Sequence, residues 1–422
     1  MTNRQRPGLT LLAAFLGWMF DGMEMGIFPL VAGPALNEMG RAAGIAAGSE
    51  ELGQFVKEWM GWVTALFLFG AAAGGLVFGW LGDRIGRVKA MTWSILVYSG
   101  FTGLCYFAQE PWQLAALRSI AALGMGGEWA LGVALVMECW PEHRRPLLAG
   151  AIGAAANVGY VVIALIALKF PISDQSWRWV MLVGATPALL TFIIRLFIPE
   201  SEKWTESKKT ASISPVLEVF SSRLRGRMLL AIAFASIALL VTWGIVQWIP
   251  LWASEMLRES GQKDDFLKAK IQLASALGAT FGSLIAPVVG GVLGRRWTYF
   301  LLCVVSLASC QWLFRGFSHF DFSFLLVTGL VGFCTASFYG WLPLYLPELF
   351  PTRARATGQG IAFNAGRIFA GIGVLQMAPL MEFLGGSAKA YAPAGATISL
   401  IYVVGMALIW LAPETKGRPL PD

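Results

Sequence analysis

The stretch Gly79-Trp80-Leu81-Gly82-Asp83-Arg84-Ile85-Gly86-Arg87-Val88-Lys89 is a short basic segment between two long apolar runs, one starting near Trp59 and the next near Ala90. Gly79, Gly82 and Gly86 permit a sharp turn and a close approach of the flanking helices, since glycine has no Cβ to obstruct either. Arg84, Arg87 and Lys89 make the turn positive. A positive turn between two runs of about 20 apolar residues reads as a cytoplasmic loop joining two membrane spans.

Working outward, runs of similar length begin near Leu9, Trp59, Ala90, Trp112, Leu147, Trp177, Met228, Ile271, Thr298, Phe322, Ala356 and Pro393. The 422 residues are 56% hydrophobic and 14% charged, against about 45–50% and about 25% in soluble domains. Together these predict an all-α polytopic membrane protein with twelve transmembrane helices. Arg84, Arg87 and Lys89, then Arg144 and Arg145, then Lys203 through Arg227, then Arg295 and Arg296, then Arg353 and Arg355 all fall in alternate loops. By the positive-inside rule those loops and both termini are cytoplasmic, in an inner (plasma) membrane. The net charge of +7 is therefore a topology signal, and no nucleic-acid partner is expected. The N-terminal run continues through Asp21 and Glu24 without a small-residue cleavage site, so it is expected to stay as the first span rather than be removed as a signal peptide.

Residues 199–227 form the longest cytoplasmic connection, polar and basic, and divide the chain into an N-terminal six-helix bundle (1–198) and a C-terminal one (228–422). An internal repeat supports the division. Glu138-Cys-Trp-Pro141 with Arg145 reappears about 210 residues on as Glu348-Leu-Phe-Pro351 with Arg355, and Pro199-Glu200-Ser201 returns as Pro413-Glu414-Thr415. Two halves in the same orientation, related by an axis along the membrane normal, are a known transporter architecture. No enzyme activity is expected: no H-E-x-x-H, G-x-S-x-G or P-loop sequence is present, and His143 and His319 map to a loop and an outer edge. The five cysteines lack metal-ligand spacing and read as packing residues, so neither metal nor cofactor is expected.

The chemistry lies in charges within the spans. Asp21 and Glu24 in the first span are three residues apart and share a helix face. An ionised side chain at the centre of a membrane helix costs about 2.5–3.5 kcal/mol, so such a pair is a functional-site candidate. At about 1.5 Å of rise per residue, Asp21 and Glu24 come out about 18 and 22 Å from the inner edge, and Arg118 on span 4 at about 21 Å, between them. Glu128 falls about 15 Å below Arg118, a second, lower acidic site. Asn364 and Arg367 on span 11 and Asn157 on span 5 come out near the midplane. Three acids against two arginines leave one excess negative charge, which one proton cancels.

The loop quoted above resembles the signature of the major facilitator superfamily between spans 2 and 3, G-x-L-x-D-R-x-G-R-x-K. Arg118 with Gly124-Met-Gly126-Gly127-Glu128-Trp129 resembles the fourth-span motif of its organic-acid branch. Trp177-Arg178-Trp179, Pro347-Glu348-Leu-Phe-Pro351 and Pro413-Glu414-Thr415-Lys416-Gly417 are similar to markers shared by sugar porters, organic ion transporters and metabolite:proton symporters. Adding Asp21-Gly-x-Glu24 and Asn364-x-Gly366-Arg367, the chain looks most like the sialate, lactate and aromatic-acid:proton symporters. The 8–9 loop copy, Gly290-Gly-Val-Leu-Gly294-Arg295-Arg296, lacks the Asp-Arg of the first copy, so signature gating is expected only in the N-terminal half.

These readings predict a monomeric secondary transporter, a proton-coupled symporter of a small organic acid anion working by alternating access. Asp21, Glu24, Arg118 and Glu128 are expected to handle protons. Arg367, Asn364, Asn157, Gln247 and Tyr339 are expected to bind the anion, with Arg367 forking onto its carboxylate. Trp243, Trp248, Trp341 and Tyr345 are further candidates to line the cavity. Asp83, Arg84, Arg87, Glu138, Arg145, Glu348 and Arg355 are expected to form the cytoplasmic gate. The competing expectation is a facilitative uniporter of a sugar or organic cation on the same fold.

Overall fold

The computed structural model describes residues 7–85, 87–128, 145–187, 215–351, 355–386, 390–418 and 421. Their backbone is helical nearly throughout, as it must be where no water is available to bond free N–H and C=O groups. The spans are α1 (Pro7–Ala42), α2 (Glu50–Ile85), α3 (Arg87–Leu104), α4 (Pro111–Met125), α5 (Arg145–Lys169) and α6 (Trp177–Val183) in the first half of the chain. They are followed by α7 (Arg225–Gly244), α8 (Leu267–Leu293), α9 (Arg295–Gly316), α10 (Phe322–Leu349), α11 (Arg355–Leu375) and α12 (Tyr391–Ser399). Ile249–Glu259 continues α7 after a 3-10 turn, Met377–Phe383 continues α11, and Ile401–Leu408 continues α12. Among the described residues, eight spans are apolar and long enough to cross a membrane by length and composition alone.

Helix ends follow local chemistry. Glu110 and Gln113 form a capping box ahead of α4, with Pro111 at its first turn. Asp321 caps α10 by accepting from the Phe324 N–H at 2.8 Å. The α2 helix starts at Glu50, well before the apolar run near Trp59, and Glu50 and Glu51 suit the positive end of its dipole.

Helices α1, α5, α7, α8, α10 and α11 surround the centre of the molecule, where all of them line one cavity. The crossing of α1 and α5 sets the position of the buried acids. A Cβ on Gly22 would overlap the Ala156 carbonyl oxygen, and one on Gly159 would overlap that of Met19. The two backbones therefore touch, as small residues allow in membrane helices, and Asp21 is fixed beside the contact. The two sets of six spans meet where α2 packs on α11 and α5 on α8. At the C-terminal end of α1, Glu38 accepts from Trp177 Nε1 at 2.6 Å and from Arg178 Nη1, while Arg178 Nη2 donates to the Ala108 carbonyl at 3.0 Å. This ties the ends of α1 and α3 to the start of α6. Trp93, Leu165, Phe281 and Phe369 are exposed, as lipid contact requires.

Candidate functional site

Two separate charge groups lie inside the bundle. In the first, Arg118 Nη1 of α4 donates to Glu24 Oε1 of α1 at 3.0 Å. Thr102 Oγ1 of α3 donates to the same oxygen at 3.0 Å. The guanidinium carbon lies 4.9 Å from the ring centres of both Phe28 and Phe67, close enough for cation–π attraction. Glu24 and Arg118 are 0% and 2% exposed, so this is a buried pair whose charges cancel. The depth estimate sets Arg118 between the two acids; helix rotation turns it to Glu24.

The second group is Asp21, Glu128 and Arg367. Asp21 is 0%, Glu128 2% and Arg367 5% exposed. Glu128 sits against α1 at Gly17, where a Cβ would overlap its Oε1, so the glycine makes room for the carboxylate. One turn further along α1, Asp21 is within electrostatic range of both Glu128 and Arg367. Glu128 is thus beside Asp21 rather than in the separate lower site that rise along straight helices predicts. Helix ends at unequal heights and a long glutamate side chain account for the difference. Neither carboxylate accepts a hydrogen bond from any described residue. Arg367 Nη1 donates to Asn364 Oδ1 at 3.0 Å, lies 3.5 Å from the carbonyl oxygens of Ala71 and Gly126, and its guanidinium stands 5.0 Å from the Phe363 ring.

Beside this group is a central cavity of about 100 Å³ whose walls include Arg367, Phe363, Trp18, Trp243 and Tyr339. Asn157 and Gln247 also line it. Asn157 donates to Ser283 Oγ at 3.0 Å, and Gln247 donates to the Tyr160 hydroxyl at 2.8 Å. Asn364 stands behind Arg367, its amide donating to the Gly360 carbonyl at 2.9 Å, and does not line the cavity. Three aromatics expected at the cavity lie elsewhere. Trp341 and Tyr345 pack with Phe234 in the interior of the second half, and Trp248 packs toward Tyr391. Two residues along a helix turn the side chain by about 200°, so Tyr339 faces the cavity and Trp341 the opposite side.

At the end of the bundle where α9 begins, Glu348 of α10 is held by both arms of Arg295, at 2.8 and 2.6 Å, and accepts from Thr415 Oγ1 at 2.5 Å. Glu414 accepts from the backbone N–H groups of Arg295 and Arg296 at the start of α9 and from those of Thr415 and Lys416. Burial alone would raise the Glu414 carboxyl, but these four donors outweigh it and hold the group below its ordinary value. The loop before α9 lacks the acid of the quoted signature, and Glu348 and Glu414 supply acids from α10 and the C-terminal segment instead. Glu138 and the side chains of Asp83, Arg84, Arg87, Arg145 and Arg355 lie outside the described residues.

A buried, charge-bearing cavity between two sets of six spans matches known transporters. The model of the Major Facilitator Superfamily matches residues 9–374. The chain belongs to this superfamily. The transporter is 32% identical over 367 residues to a protein of Haemophilus influenzae named for metabolite transport, covering 84% of this chain and 86% of that one. It is 28% identical to the cis,cis-muconate transport protein of Acinetobacter baylyi, covering 86% and 85%. The fold matches the proton:xylose symporter XylE bound to 6-bromo-6-deoxy-D-glucose with a TM-score of 0.75 at 17% identity, over 97% of each chain. The protein is an integral membrane transporter of metabolites, in the metabolite:proton symporter branch, and not an enzyme.

Sequence reasoning missed several polar residues, Thr102, Gln272 and Thr328 among them. Thr102 shares Glu24 with Arg118, and Gln272 and Thr328 line the cavity. Thr102 carries no distinguishing signal in an apolar span. Gln272 is an amide within the apolar α8 run and could have been found by the reasoning that selected Asn157.

Proposed function

We propose that the transporter carries a small organic acid anion, a monocarboxylate, sialate or aromatic acid, across the inner membrane with one proton. The observation that supports this is the unequal charge of the two buried groups. Glu24 and Arg118 cancel, whereas Asp21 and Glu128 face a single arginine that lines the cavity. Buried charge without a partner is strongly unfavourable, so the Asp21–Glu128 pair shares one proton when the cavity is empty, and Arg367 balances the remaining charge. A substrate carboxylate that engages Arg367 leaves the acid pair without its counter-charge. A second proton then restores neutrality, giving one proton carried per anion. The neutral loaded and empty states allow the two six-helix halves to rock about the site, while a half-loaded state is penalised. A cavity of about 100 Å³ is on the scale of a single small ring, since an engineered cavity of about 150 Å³ binds benzene.

Proteoliposomes with an acidic exterior test this reading with radiolabelled sialate as probe, whose hydroxyl groups keep it from crossing the bilayer unaided, and protein-free liposomes give the background. Wild type should accumulate the anion about tenfold per pH unit, because one proton contributes about 1.4 kcal/mol per unit. The double variant Asp21→Asn with Glu128→Gln leaves no carboxyl beside Arg367 to take the second proton, so it should still exchange the anion but bring it only to equal concentrations. Undiminished accumulation by the double variant would refute proton handling at this pair.

A further inference from the structure

The cavity has a second polar end that the acid–arginine group does not use. Gln272 of α8 is 5% exposed and Thr328 of α10 is 0% exposed; both line the cavity. Neither the Gln272 amide oxygen, nor its nitrogen, nor the Thr328 hydroxyl has a hydrogen-bond partner among the described residues. Buried polar groups are nearly always paired, and leaving three such atoms unpaired around a cavity is unfavourable unless something enters to bond them. The other polar side chains differ in this respect. Asn157 and Gln247 are already engaged, with Ser283 and with Tyr160.

The position of this end relative to Arg367 is read along α1. Arg367 Nη1 lies 3.5 Å from the Gly126 carbonyl oxygen and Glu128 of the same segment sits against Gly17, whereas a Cβ on Gly26 would fall 3.0 Å from Gln272 Nε2, so the anchor lies toward Gly17 and this end at Gly26. Gly17 and Gly26 are nine residues of helix apart, about 13.5 Å. Gln272 and Thr328 also share a level, being five and six residues from the starts of α8 and α10, two helices that run in the same direction as neighbours in the fold. Between the two polar ends the walls are apolar and aromatic, with Met25, Trp18, Trp243 and Tyr339 among them.

From this arrangement we infer that Gln272 and Thr328 form a distal hydrogen-bonding subsite selecting flat acids with a hydroxyl or carbonyl at the end opposite the carboxylate. The inference rests on Arg367 as the carboxylate anchor. A hydroxyl can donate to the Gln272 amide oxygen and accept from its nitrogen or from Thr328, which satisfies all three atoms at once.

The test is the affinity of the purified transporter for benzoate and 4-hydroxybenzoate, measured by calorimetry on wild type, Gln272→Leu, Thr328→Val and Arg367→Ala. Wild type should prefer 4-hydroxybenzoate about tenfold, the worth of one or two net hydrogen bonds. Gln272→Leu should abolish the preference and Thr328→Val reduce it, with benzoate affinity held within about twofold. Thr328→Val keeps the side-chain shape and carries the test if Gln272→Leu does not fold. Equal wild-type affinity for the two acids, equal weakening of both by Gln272→Leu, or binding of neither acid would overturn the subsite. Arg367→Ala separates the two readings. Equal weakening of both acids upholds the anchor, whereas a preference that persists with undiminished affinity leaves the subsite standing and removes Arg367 as anchor.

Discussion

The Glu24–Arg118 group and the Asp21–Glu128–Arg367 group are built from the same residue types, on neighbouring turns of the same helix, with opposite balance. In the first, the arginine and Thr102 both bond the carboxylate, and two aromatic rings flank the cation. In the second, two carboxylates share one arginine and accept no hydrogen bond among the described residues. A balanced buried pair is closed and favours a single state. An unbalanced one has to recruit a proton or an ion, and it lies where the cavity can deliver one. Acid residues three positions apart thus acquire different work from their surroundings.

Breaking the balanced group should give the largest effect. Arg118→Met leaves Glu24 buried without its cation and should destabilise the fold by about 3–5 kcal/mol, read as a loss of thermal stability in detergent. Adding Glu24→Gln should recover most of that loss, because the remaining group is neutral and can still accept from Thr102. If the double variant is no more stable than the single, the pair has a further role that charge balance does not describe.

The unbalanced group should respond in the opposite way. Asp21→Asn removes one of two crowded carboxylates and should leave thermal stability within about 1 kcal/mol of wild type or raise it, and adding Glu128→Gln should abolish uphill accumulation. A collapse of stability as large as that of Arg118→Met would erase the distinction between the groups. Gly22→Ala tests whether geometry maintains the distinction. Its methyl group would meet the Ala156 carbonyl, pushing α1 from α5 and costing on the order of 1–3 kcal/mol, with transport impaired because Asp21 moves.

The smallest effect is expected at Glu414, beside the start of α9 and away from both groups. Glu414 is held below its ordinary value, so its contribution is present above the usual carboxylate range and is lost as the pH falls through its lower folded value. The melting temperature of wild type should exceed that of Glu414→Gln by a small margin at neutral pH, and the two should converge in acid. A gap that persists at low pH would assign the effect to shape rather than charge.

Much of this was legible without coordinates. Hydropathy and the alternation of basic loops marked twelve spans, and the residues of the 2–3 loop pointed to the family. The same reading drew attention to Asp21, Glu24, Arg118, Glu128 and Arg367 because each is a charge in an apolar run. The placement of Trp248, Trp341 and Tyr345 was not legible, since an aromatic residue serves a cavity wall and a packed core equally well. Nor was Thr102, whose hydroxyl in another setting would bond its own helix.

Membrane embedding, loop polarity and the presence of buried charge are additive properties of single residues and short windows, so the amino-acid order by itself determined them. Which acid meets which arginine depends on helix rotation, crossing and height, set by contacts such as Gly22 on Ala156 between segments far apart in the chain. Only the tertiary structure could decide that Glu24 pairs with Arg118 while Asp21 is left with Glu128 and Arg367.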